Sequence, residues 1–264
     1  MQKPAMSMPA TTSVVIRTII VYFLALGVFV VTLPPITLLL LIAPLGKAKW
    51  HDKLLFSTID LFYWGILWAL QVPVTITGKE NMPQEPAIIV ANHQSSIDIM
   101  VLGVTLKRFP HVWYALTYYL KKPILGFFIR RLCLPLNRDG SSTSGPGFIR
   151  GLKLIQKSPY HIIIFPEGTR HIDGQVHEFL RGFVLLARET KRPLVPVYMP
   201  YNYLVYPPIS FWAYDHELVA SIGKPLRYKE TDTDETFKNS VLEWFSQQEQ
   251  QYRQPPHKRP VIDP

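Results

Sequence analysis

The sequence is poor in cysteine and in acidic residues. Cys133 is the only cysteine among 264 residues, so no disulfide can form within the chain, which suits a reducing compartment. The chain has 19 Asp and Glu against 28 Lys and Arg, giving a formal net charge of +9. This imbalance indicates an anionic partner, such as a nucleic acid, a phosphorylated substrate or an anionic membrane surface.

Several motifs that mark common enzyme classes are also missing. The chain contains no G-x-S-x-G, which argues against a serine lipase. The Gly- and Ser-rich segment 140–147 lacks the Lys of a P-loop and the spacing of a dinucleotide fingerprint. The cluster of His171, Asp173, His177 and Glu178 lacks the helical His pair of a zinc protease. We therefore predict neither a metal site nor a bound cofactor.

Positive charge is concentrated between Leu102 and Ser158. This segment holds ten Lys or Arg against one acidic residue, Asp139. A solvated basic face is the ordinary interpretation, and contact with anionic lipid headgroups is the sharper one. No helix-turn-helix, zinc finger or RNA-binding aromatic signature accompanies the charge, so we expect no nucleic-acid partner.

Two long apolar stretches occupy the N-terminal part of the chain. Val14–Leu33 is apolar apart from Arg17 and two Thr, and it is long enough to span a bilayer, while Pro34-Pro35 is expected to interrupt it. Leu54–Val72 is a second stretch that is rich in aromatic residues. Lys residues on both sides favour a hairpin with both ends in the cytoplasm. A pair of transmembrane helices and a two-helix anchor in one leaflet both remain open, and a buried hairpin in a soluble core is disfavoured.

After Pro73, short apolar runs alternate with helical patterns, which is typical of an α/β fold. We predict a mixed, mostly parallel sheet flanked by helices, with a membrane-anchoring hairpin over 1–73, a second domain over 74–253 that holds the sheet, and a flexible tail over 254–264. The predicted strands are Val74–Thr77, Ala87–Ala91, Leu132–Leu136, Ile162–Phe165, Leu194–Tyr198 and Glu217–Ile222. One predicted helix begins at Ser95 or Ser96. Three more are predicted over Phe148–Gln156, Phe179–Glu189 and Phe237–Tyr252.

His93 is the best candidate for a general base. It follows the predicted strand Ala87–Ala91, and Asp98 lies five residues later in the first turn of the predicted helix. A carboxylate that folds back on an imidazole fixes its tautomer and stabilises the imidazolium. Ser95 and Asp98 also form an S-x-x-D pattern, so on these residues alone Asp98 is as well explained as a helix-capping residue.

Two other predicted strands also end in polar residues. Leu132–Leu136 is followed by Asn137-Arg138, and Ile162–Phe165 runs into Pro166-Glu167-Gly168-Thr169-Arg170. Ligands of open α/β sheets bind beyond the carboxyl ends of strands, so these residues can share a cleft with His93. Arg suits bidentate binding of phosphate, and a Gly-containing turn lets backbone N–H groups approach an anion. The alternative is an ordinary turn whose Glu and Arg pair at the surface.

At this point the chain resembles the glycerolipid acyltransferase family that is typified by bacterial 1-acylglycerol-3-phosphate acyltransferase. Residues 92–98 match its N-H-x4-D block, and residues 165–170 match F-P-E-G-T-R in full. Weaker matches are Leu134 to Arg138, Val195-Pro196-Val197 and Phe179-Leu180-Arg181-Gly182. The resemblance covers roughly residues 73–222 and implies that the domain over 74–253 is an acyltransferase domain. Asn137 and His171 depart from the Asp and Ser that the family often has at these positions.

The resemblance implies a role for each matching residue. His93 would be the base that removes a proton from a glycerol hydroxyl, and Asp98 would hold it. Arg138 and the turn residues Glu167, Gly168, Thr169 and Arg170 would bind the glycerol phosphate. The hydroxyl oxygen would attack the thioester of acyl-CoA or acyl-carrier protein directly, with no acyl-enzyme.

The implied function is synthesis of phosphatidic acid from 1-acylglycerol-3-phosphate. The alternatives are the same chemistry on another lysolipid and a non-catalytic membrane-binding protein. The expected partners are membrane lipids and acyl-CoA or acyl-carrier protein. The expected location is the bacterial inner membrane, with the catalytic domain on the cytoplasmic side.

Overall fold

The computed structural model describes residues 10–43, 45–46, 48–106, 109–136, 152, 156, 158–208 and 210–252. Its helices are α1 Thr12–Ile42, α2 Lys49–Leu70, α3 Asp98–Thr105, α4 Pro123–Leu132, α5 Gly182–Thr190, α6 Asn202–Val205 and α7 Asp234–Gln251. Its strands are β1 Val74–Thr77, β2 Ile88–Ala91, β3 His111–Leu116, β4 Cys133–Leu136, β5 His161–Ile164, β6 Leu194–Tyr198 and β7 Leu218–Ile222.

The strands form one seven-stranded sheet in the order β1-β7-β6-β2-β5-β3-β4. Every neighbouring pair is parallel except β6 and β7, so β1 and β7 run opposite to the other five strands. The predicted mixed, mostly parallel sheet is confirmed. Strand β2 lies between β6 and β5, and all three end at the same edge of the sheet.

The central strands are buried on both faces, as their continuous apolar sequences require. Alternate side chains of β2 belong to two separate cores, because successive residues of a strand point to opposite faces. Ile89 packs in a core that also contains residues of α1, α2 and α3. Ile88 packs in a second core with residues of α5 and α7. The sheet is thus covered by helices on both sides.

Helices α1 and α2 form the predicted hairpin, but α1 is continuous through Pro34 and Pro35. The prediction that these prolines interrupt it is wrong. Residues on both sides of the prolines, Val21 before them and Ile36 and Leu39 after them, are buried in one core, so packing outweighs the loss of helical N–H donors. By length and composition both helices can cross a membrane, and α1 is mostly exposed whereas α2 is about half buried.

Arg17, the charge inside the first apolar stretch, has a structural partner. Its Nη2 donates to the carbonyl oxygen of Leu70 at 2.5 Å. Leu70 is the last residue of α2, where backbone carbonyls have no helical partner and a positive charge is favoured. Arg17 therefore ties α1 to the C-terminal end of α2.

Helix α2 is joined to the sheet domain by close packing and buried hydrogen bonds. The Tyr63 ring lies against Gly103 of α3, at a position where any side chain would overlap it. The Tyr63 hydroxyl lies 3.1 Å from His111 Nε2, and His111 Nδ1 lies 2.8 Å from the Phe109 carbonyl oxygen. Because Nδ1 must donate to that carbonyl, Nε2 accepts from Tyr63, and burial lowers the pKa of His111 to about 4.

The other predicted elements are largely confirmed. All six predicted strands are found with ends shifted by at most one residue, and the predicted helices at 179–189 and 237–252 correspond to α5 and α7. The sequence prediction missed β3, α4 and the short helix α6. The predicted helix 148–156 lies almost entirely outside the described residues, as does the predicted tail 254–264.

Candidate active site

The candidate site lies at the edge of the sheet where β6, β2 and β5 end. His93 follows β2 by two residues, and Glu167 follows β5 by three. Since β2 and β5 are parallel neighbours, their C-terminal residues meet at one edge. This register brings His93 and Glu167 into contact although 74 residues separate them in the chain.

His93 and Asp98 form a hydrogen-bonded pair. The distance from His93 Nδ1 to Asp98 Oδ2 is 2.8 Å. Asp98 is fully buried, and the His93 side chain is 16% exposed. Because the carboxylate accepts hydrogen bonds, Nδ1 carries a proton toward it and Nε2 is left as the basic nitrogen of the neutral ring.

Asp98 makes only part of the S-x-x-D capping pattern, because α3 has no side-chain cap and the bonds of Asp98 go to the loop before the helix. Its Oδ2 accepts from the backbone N–H groups of Gln94 at 2.6 Å and Ser95 at 2.8 Å. Helix α3 begins at Asp98 and not at the predicted Ser95 or Ser96. The Ser95 hydroxyl accepts from the N–H of Ile97, before the helix starts, and donates to the Tyr206 carbonyl oxygen, so it caps no N–H group of the helix. The same carboxylate therefore folds the loop and holds the imidazole.

The His93 ring is stacked on Phe165, the residue after β5. Their ring centroids are 4.0 Å apart with an interplanar angle of 12°. Phe165 in turn stacks on Trp113 of β3, at 5.9 Å and 28°. The first residue of the F-P-E-G-T-R block thus fixes the plane of the imidazole, a contact that its sequence does not reveal.

Glu167 points inward and supports the His93 loop. Its Oε1 accepts from the backbone N–H of His93 at 3.0 Å, and its side chain is 1% exposed. Burial is the largest cause that raises the pKa of Glu167 to about 8; the nearby Asp98 and Asp173 charges act in the same direction, and the hydrogen bond from the His93 N–H acts against it. The predicted contact of Glu167 with substrate stays a prediction.

The rest of the turn is more open. Gly168 and Thr169 are exposed, and Gly168 has a φ of 67°, which favours glycine. Arg170 is half-buried, and its Nη1 donates to the Ser96 hydroxyl at 2.8 Å. In the described part of the chain no carboxylate pairs with Arg170. Its charge therefore lies beside the His93 loop and is available to an anionic ligand.

The residues that follow Arg170 form a second polar group. The backbone N–H of His171 donates to the His93 carbonyl oxygen at 2.9 Å, and the His171 ring stacks on His177. His177 Nε2 lies 2.8 Å from Asp173 Oδ2. Among the described residues no group of three or more His, Cys, Asp or Glu is arranged to hold a metal ion.

The site as described differs from the predicted set at two positions. Arg138 lies outside the described residues, and β4 ends two residues before it, at Leu136. Asn202, which follows β6, was not predicted, yet its Nδ2 donates to Asp98 Oδ1 at 2.9 Å. In the sequence, Asn202 is marked only by its position a few residues after the V-P-V strand. Its bond to Asp98 could not be predicted, because it requires β6 to lie beside β2.

Comparisons with known proteins agree with this geometry. Residues 73–200 match the family model described as Acyltransferase. A 1-acyl-sn-glycerol-3-phosphate acyltransferase of Saccharomyces cerevisiae is 32% identical over 151 residues, covering 53% of this chain and 47% of the yeast protein. A probable enzyme of the same name from Mycoplasma pneumoniae is 28% identical over 180 residues, covering 62% of this chain and 65% of that protein.

The chain spans about half the length of the first of these curated relatives. The fold is similar to the crystal structure of the 1-acyl-sn-glycerophosphate (LPA) acyltransferase of Thermotoga maritima, with a TM-score of 0.74 and 23% identity. That alignment covers 91% of this chain and 97% of the other. His93, Asp98 and the turn after β5 all lie within residues 73–200, the segment that matches the Acyltransferase family model.

Proposed function

We propose that this protein transfers a fatty acyl group from an acyl thioester to the sn-2 hydroxyl of 1-acylglycerol-3-phosphate, giving phosphatidic acid. The observation that carries the proposal is the His93–Asp98 pair, with its 2.8 Å hydrogen bond, beside Arg170, which pairs with no carboxylate among the described residues. A base and an anion site that lie side by side match a phosphorylated alcohol as acceptor. The relatives named above carry the corresponding activity in their names.

The transfer is direct, in a single covalent exchange. His93 Nε2 removes the proton from the glycerol hydroxyl while Asp98 stabilises the imidazolium that forms. The hydroxyl oxygen bonds to the thioester carbonyl carbon, the C–S bond breaks, and the imidazolium returns the proton to the leaving thiolate. In the described part of the chain no Ser, Thr or Cys side chain hydrogen-bonds to His93 Nε2, which supports a route without an acyl-enzyme.

The acyl donor is acyl-CoA or acyl-carrier protein, used as a co-substrate, and no other cofactor takes part. The phosphate of the acceptor is bound by Arg170, Arg138 and the backbone of the turn at Gly168. Glu167 serves the same site by holding the loop that carries His93.

Lipid access comes from the N-terminal hairpin. Large apolar side chains cover the outer face of α1, where Phe23 is 75% exposed and Val31 is 66% exposed. Positive residues flank the hairpin in the sequence, which favours the cytoplasmic side for both of its ends. We infer that the protein works on the cytoplasmic face of a bacterial inner membrane.

A panel of acceptors tests the proposal. Purified protein is given a labelled acyl thioester together with lysophosphatidic acid, lysophosphatidylcholine, lysophosphatidylglycerol, a lyso-aminolipid or monoacylglycerol. We expect lysophosphatidic acid to be acylated fastest, and Arg170→Gln to weaken that preference. The matched control is Arg227→Gln, which removes a surface Arg paired with Glu85. Activity confined to monoacylglycerol, which has no phosphate, would contradict the proposal. Activity confined to another lysophospholipid would mean that this lipid, and not lysophosphatidic acid, is the acceptor.

A further inference from the structure

The segment that follows β6 is fastened to the loop that carries His93. This post-β6 segment is Met199–Tyr206. The Asn92 side chain forms two 2.8 Å hydrogen bonds with Met199, donating to its carbonyl oxygen and accepting from its N–H. At the other end of the segment, the Ser95 hydroxyl donates to the Tyr206 carbonyl oxygen at 2.5 Å. Both ends of the segment are therefore held against the loop 92–98.

Asn202 lies between these two attachments and reaches the Asp98 carboxylate. Its Nδ2 donates to Asp98 Oδ1 at 2.9 Å, and the residue is fully buried. The other carboxylate oxygen, Oδ2, accepts from His93, Gln94 and Ser95. Within the described part of the chain, Asn202 is thus the one group bonded to Oδ1.

The rest of the Asn202 amide argues against a purely structural role. The carboxylate of Asp98 is an acceptor, so the NH2 group of Asn202 must face it. Asn202 Oδ1 is then left buried with no hydrogen-bond donor among the described residues. An unsatisfied buried oxygen costs free energy that an apolar side chain of similar size would avoid. The hydrogen bond from Asn202 Nδ2 to Asp98 Oδ1 therefore explains why an amide occupies this position.

We propose that Asn202 is a positioning residue for acyl transfer, one that acts through Asp98. With Oδ1 held by Asn202, the carboxylate cannot rotate, and Oδ2 stays directed at His93 Nδ1. The inference rests on the proposed function, since it concerns the base of that reaction. It extends the His93–Asp98 pair to a chain of three side chains that come from the ends of two neighbouring strands.

Two substitutions at Asn202 and one control test the inference on the purified full-length protein. Asn202→Leu removes the donor and keeps the volume, and we expect kcat to fall about 10- to 100-fold while both KM values stay within about twofold. The control is Met199→Leu, which removes the other acceptor of the Asn202 amide, Met199 Sδ at 3.4 Å from Nδ2, and leaves the bond to Asp98 in place. Its kcat should stay within about twofold of the wild-type value, since Met and Leu have similar volumes.

Asn202→Asp gives a readout that a structural role would not produce. The introduced carboxyl faces Asp98, and two adjoining carboxyls hold one proton between them until the pH is high enough to remove it. While that proton is present the introduced group can donate to Asp98, and once it is lost the two charges repel. The activity of Asn202→Asp relative to wild type should therefore fall as pH rises from about 5 to 9. The same ratio for Asn202→Leu should stay constant.

The other charged or titratable groups around Asp98 are present in every variant, so a pH dependence found only in Asn202→Asp is caused by the introduced carboxyl and its coupling to them. They are His93, Glu167 on the His93 backbone, His171 beside Glu167, and Arg170 at Ser96. Thermal melting checks that each variant is folded. If Asn202→Leu does not fold, the pH dependence of Asn202→Asp decides the question.

The failures are distinguishable. Wild-type protein that acylates no lysolipid overturns the proposed function and this inference with it. Active wild-type protein with an unchanged kcat in folded Asn202→Leu, or with an Asn202→Asp ratio that does not vary with pH, overturns the inference alone.

Discussion

Asp98 carries a buried negative charge that four donors satisfy. They are the imidazole of His93, two backbone N–H groups and the amide of Asn202. Hydrogen bonds to an ionised group are short and strong, which is how a carboxylate can be kept away from water. The Asp98 carboxylate is therefore held in place by bonds from both the His93 loop and the segment after β6.

Glu167 provides a prediction about pH. Burial raises the pKa of this carboxyl from 4.5 to about 8, so between these values the folded protein binds a proton that the unfolded chain does not. Stability therefore falls as pH rises through this window, by an upper bound of about 5 kcal/mol, since one pKa unit is worth about 1.4 kcal/mol. Glu167→Gln removes this dependence and keeps an acceptor for the His93 N–H. We expect the melting temperature of Glu167→Gln minus that of wild type to increase from pH 5 to pH 8.

The control for this comparison is Glu243→Gln, which removes an exposed carboxyl of α7. Its melting temperature should keep a constant difference from wild type over the same pH range. A constant difference for Glu167→Gln as well would show that Glu167 is ionised at neutral pH, against this account.

Residues whose contacts are local were predictable from the sequence, and those that depend on the order of strands were not. His93 and Asp98 are five residues apart, so a turn and one helical turn suffice to bring them together. The bond from the His93 N–H to Glu167 and the bond from Asn202 to Asp98 both cross between neighbouring strands. No pattern within a strand states which strand will be its neighbour.

Among the elements, α1 and α4 depart most from what their sequences indicate. Pro34 and Pro35 would end an isolated helix, yet α1 continues through them because both of its halves pack in one core. Helix α4 lies in the basic segment 102–158 and was not predicted. Its Arg131 lies over the Phe127 ring and donates to the Leu40 carbonyl oxygen of α1. Tertiary contacts override the local preference in both cases.

Helix α1 gives a prediction about membrane attachment. Phe23 and Val30 are 75% and 65% exposed on its outer face. Phe23→Lys with Val30→Lys places two charges where lipid is expected, at about 2.5 to 3.5 kcal/mol for each Lys near a membrane centre. In flotation with anionic phospholipid vesicles, wild-type protein should rise with the lipid and the double variant should remain below.

The matched control places the same two charges elsewhere. Ser246→Lys with Gln247→Lys alters exposed positions of α7 and should float as wild type does. A double variant of α1 that floats as well as this control would mean that the face of α1 does not attach the protein to lipid.

At the scale of the whole molecule, the order of the strands determines the site. Strands β6, β2 and β5 are adjacent and parallel, so the residues that follow them meet: Asn202 from the first, His93 from the second and Glu167 from the third. The alternation of apolar runs predicted the sheet and its polar edge, since every strand that it marked is present. The order of the strands came only from the fold.

The hairpin and the sheet domain are connected on the side of the site. The hydroxyl of Tyr22 in α1 lies 3.0 Å from that of Tyr206 and also donates to the Phe211 carbonyl oxygen. Tyr206 is in turn the residue to which Ser95 donates. Two hydrogen bonds, Tyr22 to Tyr206 and Ser95 to Tyr206, therefore join the exposed apolar helix α1 to the loop that carries His93.

The most direct test of the account is the rate at which purified protein transfers a labelled acyl group from a thioester to lysophosphatidic acid, compared between wild type and His93→Ala. The account predicts a loss of about 100- to 10,000-fold, because the general base is removed. His177→Ala, which removes a surface imidazole paired with Asp173, should keep most of the rate. A folded His93→Ala protein that transfers acyl groups at the wild-type rate would contradict the assignment of His93 as the base, and with it the proposed mechanism.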